Sequence, residues 1–134
     1  IINVISSDNF KNNLIFRNKN YIKAFCEKYQ KFDIKLIEIH NRPEYISYIK
    51  EYFPNTKITI TFHNDPISLR GSETLRQREH LVKACHKIIF ISRWIQQRFF
   101  LNFLNSDYVN TEIIYHGVNK GKKININKKK NNIL

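Results

Sequence analysis

The chain alternates between short apolar runs of strand type and longer segments with helical spacing, and this alternation restricts the fold more than any other feature. The runs at 33–39, 57–62 and 87–91 are rich in β-branched and aromatic residues. Between them, apolar residues recur at the spacing of an amphipathic helix. Crossovers of this kind join parallel strands. The sequence therefore predicts an α/β fold, a Rossmann-like doubly wound parallel sheet of about five strands with helices on both faces.

The predicted strands and helices follow one another in strict alternation. Pro43 stands at a first helical position, Gly71 and Ser72 supply the entry of the third helix, and Ser92 caps the fourth. The predicted strands are 2–6, 33–39, 57–62, 87–91 and 111–115. The predicted helices are 18–31, 43–53, 72–85 and 92–103.

Length and composition indicate one globular domain. Of the 134 residues, 42% are hydrophobic and 13% are aromatic, which is enough for a buried core. No apolar run approaches the roughly 20 residues of a membrane-spanning helix. Cys26 and Cys85 form neither a C-x-x-C motif nor a disulfide framework, so we expect a cytoplasmic location. Because the sequence contains no methionine, even at position 1, we expect it to be a fragment of a longer protein.

The net charge of +12 is unevenly distributed. Residues 120–134 hold six of the 23 basic residues and none of the 11 acidic ones, which leaves 17 basic and 11 acidic residues, a net +6, in 1–119. We therefore divide the chain into a domain at 1–119 and a basic linker or tail at 120–134. The alternative role of the tail is an electrostatic arm for an anionic membrane or nucleic acid.

Several predicted strands end in polar residues. The carboxyl ends of parallel strands meet at one edge of an open sheet, where ligands bind in such folds, so we predict a cleft at this edge. The candidate residues there are His40, Asn41, Arg42, His63, Asn64, Asp65, Ser92, Arg93, His116 and Gly117. Arg70 and Gly71 also belong to the candidates, and Arg70, Arg76 and Arg78 flank a predicted helix start, where N–H groups and a guanidinium can hold a phosphate together.

Four stretches, DIKLIEIHNRPEY, ITFHNDPISLRGSETLRQREHL, KIIFISRW and IIYHGV, resemble the N-terminal half of family 4 glycosyltransferases with the GT-B fold. The similar members are bacterial enzymes that build lipopolysaccharide or other surface glycans. The resemblance covers residues 33–119, about two thirds of the chain. Two features of the family are absent from this sequence: the glycine-rich loop after the first strand and the acidic E-x7-E segment of the donor domain.

The resemblance implies a retaining enzyme with two domains, of which this would be the acceptor-side one. The missing C-terminal domain would bind most of a sugar nucleotide, and the acceptor would be a glycan or a lipid-linked molecule. His63 matches the histidine that lies against the donor sugar and its phosphate, which makes it the candidate catalytic residue. His116 and Gly117 match a segment near the cleft. The sugar nucleotide would be a substrate, and no cofactor, metal or nucleic acid is implied.

Each candidate also has a structural interpretation. His63 can cap the sheet, Asn41 and Asp65 suit turns, and Gly117 can serve a backbone need such as positive φ or close approach. For the Arg93–Trp94 pair, we expect Trp94 in the core and Arg93 on the surface.

Two other classes of function stay open. His40, His63, Asp65 and His116 could converge as the ligands of a metal-dependent hydrolase, although no short spacing fixes two of them rigidly. The basic charge fits a nucleic-acid-binding α/β module, but the aromatic residues fall at core positions instead of alternating with lysine on an exposed strand.

Overall fold

The computed structural model describes residues 14–104 and 108–117, with side chains from residue 21 onward. Helices and strands alternate through this part of the chain. They are α1 (Leu14–Tyr29), β1 (Leu36–His40), α2 (Ile46–Tyr52), β2 (Lys57–Phe62), α3 (Leu75–Ala84), β3 (Lys87–Phe90), α4 (Arg93–Phe99) and β4 (Thr111–Ile113). Short 3-10 helices at Pro43–Tyr45 and Pro66–Ser68 follow β1 and β2.

The four described strands form one parallel sheet in the order β1-β2-β3-β4. In register, His40 lies beside Thr61, and Thr61 beside Ile89. The predicted α/β architecture with a parallel, Rossmann-like sheet is confirmed. The fifth predicted strand, 2–6, and the predicted linker at 120–134 lie outside the described residues.

One face of the sheet carries the core. Ile58, Ile60 and Phe62 of β2 alternate with more polar residues and are fully buried, as are Ile88 and Phe90 of β3. Because consecutive strands are neighbours, right-handed crossovers place α2, α3 and α4 together on this face. The helix α1 joins them by packing against α2.

The opposite face of the sheet is largely open in the described part of the chain, although Thr61 on this face is buried. Leu36, Glu38 and His40 of β1 alternate with buried residues and are exposed. Neighbouring strands continue this face with Lys57 and Glu112, which are also exposed. The described helices therefore cover one face, and helices on the second face stay a prediction.

The two later helices begin at hydroxyl caps, one of which differs from the prediction. Ser92 caps α4 as predicted, and its side chain accepts a hydrogen bond from the N–H of Ile95. The start of α3 was predicted wrongly, because Thr74 is its cap and forms a capping box with Gln77. Ser72 is instead buried before the helix, and its hydroxyl donates to the carbonyl of Pro66 over 2.6 Å.

The α4 helix ends earlier than predicted, at Phe99 instead of residue 103. The following segment turns, with Asn102 at φ +69°, and Phe100 stacks on Tyr108 at a ring distance of 5.5 Å. The expectation that Trp94 is a core residue is wrong, because 57% of its surface is exposed. Ile95 and Phe99, which share one helical face, take the buried positions instead.

Arg78 joins α3 to the segment after α4 from inside the domain. Only 2% of its surface is exposed. Its guanidinium donates hydrogen bonds to the carbonyls of Ser72, Glu73, Phe99 and Leu101. A buried cation is thus satisfied entirely by backbone oxygens, and it closes the turn that the chain makes after α4.

None of the helices in the described part of the chain combines the length and the apolar character that crossing a membrane requires.

Candidate functional site

Three imidazoles meet at the carboxyl edge of the sheet. His40 ends β1, His63 directly follows β2, and His116 comes three residues after β4. Nδ1 of His40 lies 2.9 Å from Nε2 of His63, at hydrogen-bond distance. The rings of His63 and His116 are 5.2 Å apart between centroids. This confirms the prediction that the strand ends bring the three histidines to one edge.

Glu38 extends this cluster along β1, and sequence reasoning missed it. Its Oε1 lies 3.3 Å from Nε2 of His40. The two residues are two positions apart on a strand, so their side chains share one face of the sheet. That period-two relation was available in the sequence, although nothing in it marked Glu38 as different from a solvated carboxylate.

Asn41 attaches the end of β1 to the backbone that carries His63. Its side-chain oxygen accepts hydrogen bonds from the N–H groups of His63, at 2.7 Å, and Asn64, at 3.2 Å. Its own N–H donates to the carbonyl of Thr61, and its φ of +51° is a conformation that asparagine tolerates better than most residues. These contacts give Asn41 a positioning role at the site.

The carboxylate of Asp65 accepts hydrogen bonds from α4 and from the backbone of its own loop. The Nε and one terminal nitrogen of Arg98 donate to its carboxylate over 2.9–3.2 Å, and the N–H of Ile67 donates to its Oδ1. Hydrogen bonding from Arg98 lowers the pKa of Asp65 below its usual value. The carboxylate therefore caps the 3-10 helix Pro66–Ser68 and ties it to α4. Arg98 was absent from the sequence-based candidates.

The loops after β1 and β2 are packed together at Gly71. This glycine has φ +90°, and a Cβ added there would lie 2.6 Å from the backbone nitrogen of Glu44. Arg42 lies 3.8 Å from the Glu44 carboxylate. Burial raises the pKa of Glu44, and the charges of Arg42 and the exposed Arg70 oppose that shift. The charges of Arg42 and Arg70 thus both act on the Glu44 carboxylate, in the loop that follows β1.

The remaining candidates lie on the surface or in a helix cap. The side-chain oxygen of Ser92 accepts the hydrogen bond that caps α4. Asn64, Arg93, His116 and Gly117 are exposed. The structural interpretation of Gly117 finds no support among residues 14–104 and 108–117, because its φ is not positive and an added Cβ would meet none of their atoms within 4 Å. Gly71 is instead the glycine with a positive φ and a close approach to another backbone segment.

The electrostatics of the cluster favour a neutral His63. Burial lowers the pKa of His63 below its usual value of 6.5, and the charges of His40 and His116 lower it further. A neutral imidazole carries one N–H donor and one acceptor nitrogen. Near pH 7, His63 can therefore donate one hydrogen bond and accept another.

Two grooves in the described part of the chain border the sheet, one at the amino ends of its strands and one along β1. One of about 700 Å³ lies at the amino ends of the strands, where Phe32, Leu36 and Lys57 line it. The other, of about 320 Å³, lies beside β1 and is lined by His40 and Arg42. Ligands of open α/β sheets bind at the carboxyl ends, so the smaller groove belongs to the candidate site.

Among residues 14–104 and 108–117, no three His, Cys, Asp or Glu side chains are close enough together to bind a metal ion. His40 and His63 instead contact each other directly.

Comparison with known proteins gives one informative similarity. No protein-family model and no solved structure matches the chain. A stretch of 100 residues is 28% identical to the Bacillus subtilis (strain 168) protein named "Putative glycosyltransferase YtcC". The alignment covers 75% of this chain and 24% of that relative, so it spans about a quarter of the relative's length. The similarity supports a glycosyltransferase-like domain.

Proposed function

We propose that this chain forms the acceptor-side domain of a retaining glycosyltransferase of the GT-B type. The observation that carries the proposal is the meeting of His40, His63 and His116 at the carboxyl edge of a parallel sheet. The similarity to a protein named as a glycosyltransferase supports the same class of activity. The family 4 assignment rests on the motifs in the sequence.

The reaction would transfer a sugar from a sugar nucleotide to a glycan or a lipid-linked acceptor in the synthesis of lipopolysaccharide or another surface polysaccharide. A second domain would bind the donor. The length of the curated relative, of which the alignment covers 24%, leaves room for such a domain. We therefore expect the isolated chain to be inactive. The expected location is the cytoplasm, at the inner face of the membrane if the basic tail contacts anionic lipid.

His63 would contact the reacting sugar. Transfer requires stabilisation of the charge that develops on the leaving phosphate and on the sugar ring. A neutral imidazole held at a strand end offers a preorganised hydrogen-bonding nitrogen to the sugar without carrying its own charge into the site. The cations of Arg42, Arg70 and Arg93 are exposed near the strand ends and add a positive field for the phosphates.

The acceptor would lie in the groove beside β1. Its floor contains Ile37 and Ile39, and its rim carries Tyr21, Tyr45 and Arg42. The two tyrosine rings are 6.4 Å apart. Aromatic faces beside polar groups suit a sugar ring, which has apolar C–H faces and hydroxyls at its edge. His40 lines the same groove and so lies between the acceptor and His63.

Turnover of His63→Ala tests the proposal in the protein translated from the complete reading frame. Release of nucleoside diphosphate from a panel of sugar nucleotides would be measured with and without glycan acceptors. Losing a preorganised hydrogen-bonding group beside the reacting sugar should reduce the rate on the order of 100-fold, whereas folding should lose at most about 1–2 kcal/mol. His86→Ala, which changes an exposed histidine at the other end of the sheet, is the matched control.

The outcomes separate the classes of function. Transfer that depends on His63 but not on His86 supports the proposal. Normal turnover of His63→Ala removes His63 from the site. Salt-sensitive binding of nucleic acid together with no binding of any sugar nucleotide would favour the nucleic-acid module instead.

A further inference from the structure

Glu38, His40 and His63 form a continuous line of polar contacts along the open face and carboxyl edge of the sheet. Oε1 of Glu38 lies 3.3 Å from Nε2 of His40, and Nδ1 of His40 lies 2.9 Å from Nε2 of His63. Each imidazole nitrogen of His40 is thereby engaged by a different neighbour. The line begins at a carboxylate and ends at the residue to which we assign the substrate contact.

The proton positions in this line follow from the chemistry of its first member. The Glu38–His40 contact is an ion-pair distance of 3.3 Å, and the negative charge of an ionised carboxylate favours a proton on the nearer ring nitrogen of His40, Nε2. Neutral His40 then has a bare Nδ1, which can only accept. The proton in the contact between the two imidazoles must therefore come from Nε2 of His63. This leaves Nδ1 of neutral His63 without a proton.

The surroundings of Glu38 leave it available for this role. The other exposed carboxylate on the same face, that of Glu112, forms an ion pair with Lys87. Among the described residues, Glu38 makes its ion-pair contact with His40. Its neighbour across the sheet is Thr59, which carries no charge.

We infer that Glu38 is a positioning residue that acts through His40 and holds neutral His63 in the tautomer with its proton on Nε2. Nδ1 of His63 is then a fixed hydrogen-bond acceptor, suited to a hydroxyl of the substrate and unsuited to an unprotonated phosphate oxygen. The tautomer is inferred from the geometry of the three residues alone. The contact with a substrate hydroxyl also depends on the proposed function.

The charges that act on His63 are those of its two neighbouring histidines. His40 approaches from β1 and His116 from the segment after β4. Both disfavour a second proton on His63, and its pKa is lowered accordingly, after the larger effect of burial. The neutral form is thus the one whose tautomer matters near pH 7.

Nitrogen NMR of the 134-residue chain tests the tautomer without any substrate. Long-range proton–nitrogen spectra distinguish a protonated ring nitrogen from a bare one. The wild type should show a protonated Nε2 and a bare Nδ1 for His63 at pH 7.5. Glu38→Gln replaces the carboxylate with an amide that can either donate or accept, so it removes the preference. The tautomer ratio of His63 should fall about two- to fivefold, as expected for exposed charges.

Two further variants make the result specific. Glu112→Gln removes the other carboxylate of the same face and should leave the His63 spectrum unchanged. His40→Gln interrupts the line after Glu38 and should mix the tautomers of His63 even with Glu38 present. An unchanged His63 ratio in Glu38→Gln overturns the inference, and so does an equal change in Glu38→Gln and Glu112→Gln.

Turnover in the complete protein supplies the second readout. If His63 accepts from a substrate hydroxyl, Glu38→Gln should lower kcat by at most about twofold, in proportion to the lost fraction of that tautomer, while Glu112→Gln stays at the wild-type value. A changed tautomer with unchanged kcat overturns the substrate contact and leaves the positioning role standing. If no transfer is seen with any sugar nucleotide, the proposed function fails, and the NMR comparison still decides the tautomer.

Discussion

The side-chain oxygen of Asn41 lies 2.7 Å from the backbone nitrogen of His63 and accepts its hydrogen bond. The same oxygen accepts from the N–H of Asn64 over 3.2 Å. A single side chain at the end of β1 therefore satisfies two successive backbone donors after β2, where the polypeptide leaves the sheet. The position of the His63 imidazole depends on this attachment.

We expect Asn41→Ala to lower the free energy of unfolding by about 2–3 kcal/mol. Two N–H groups lose their acceptor, which costs about 1–2 kcal/mol where they are partly exposed, and alanine at φ +51° adds roughly 1 kcal/mol of strain. Denaturant unfolding of three variants separates the two causes. Asn41→Asp keeps the acceptor, Asn41→Gly relieves only the strain, and the expected order of stability is Asp, Gly, Ala. Equal stability of Asn41→Ala and the wild type would contradict the attachment.

Arg78→Met should destabilise the domain by roughly 2–4 kcal/mol, because four backbone carbonyls lose their donors at a site with 2% exposure. Arg78→Lys should recover only part of the loss, since an ammonium cannot reproduce the planar fork of donors. Thermal and denaturant unfolding would measure both. Arg76→Met, an exposed change on the same helix, is the control and should stay within about 0.5 kcal/mol. A similar loss in both methionine variants would show that the carbonyl contacts are not the cause.

Gly71→Ala and Gly117→Ala should behave differently, although both glycines were candidates for the site. An alanine at position 71 would take up φ +90° and place its Cβ 2.6 Å from backbone nitrogen of Glu44. The loops after β1 and β2 would have to separate, and we expect a loss of at least about 2 kcal/mol. At position 117 an added Cβ meets no atom of the described residues within 4 Å, so stability should change by less than about 0.5 kcal/mol. Equal melting temperatures for the two variants would contradict this assignment.

The strands and the grouping of the histidines could be predicted because they depend on local pattern and on one topological rule. Each of the three clustered histidines stands at or soon after the end of an apolar run, and parallel strands bring such ends together. The hydroxyl cap of α4 was also predictable, since Ser92 directly precedes a helical pattern.

The remaining features depend on contacts between distant residues. Asp65 and Arg98 are 33 positions apart, and Arg78 reaches the carbonyl of Leu101 across 23 positions. No local pattern distinguishes these arginines from solvated ones. The Trp94 prediction failed for a related reason: which face of a short helix is buried depends on the sheet beneath it, and Ile95 and Phe99 occupy that face.

The stability of the chain should fall as the pH is lowered below about 6.5, and His63 should account for this first step. Burial and the charges of His40 and His116 lower the pKa of His63 from 6.5 in the folded state. The unfolded chain therefore binds the proton at a higher pH than the folded chain. The contribution of a neutral His63 is complete above pH 6.5 and is lost as the pH falls through the lower, folded pKa.

Melting temperatures between pH 8 and pH 3, recorded at constant ionic strength, test this assignment with two variants. His63→Gln should remove the step that begins near pH 6.5, where the unperturbed imidazole takes up its proton. His63→Gln should leave the loss of stability at lower pH unchanged, because Asp65 contributes to that second step.

Hydrogen bonding from Arg98 lowers the pKa of the Asp65 carboxyl from 3.8, so the stability it contributes is lost only as the pH falls below that value. Asp65→Asn should weaken the lower step and keep the upper one. If His63→Gln follows the wild-type curve throughout, the imidazole is not held in its neutral form by the fold.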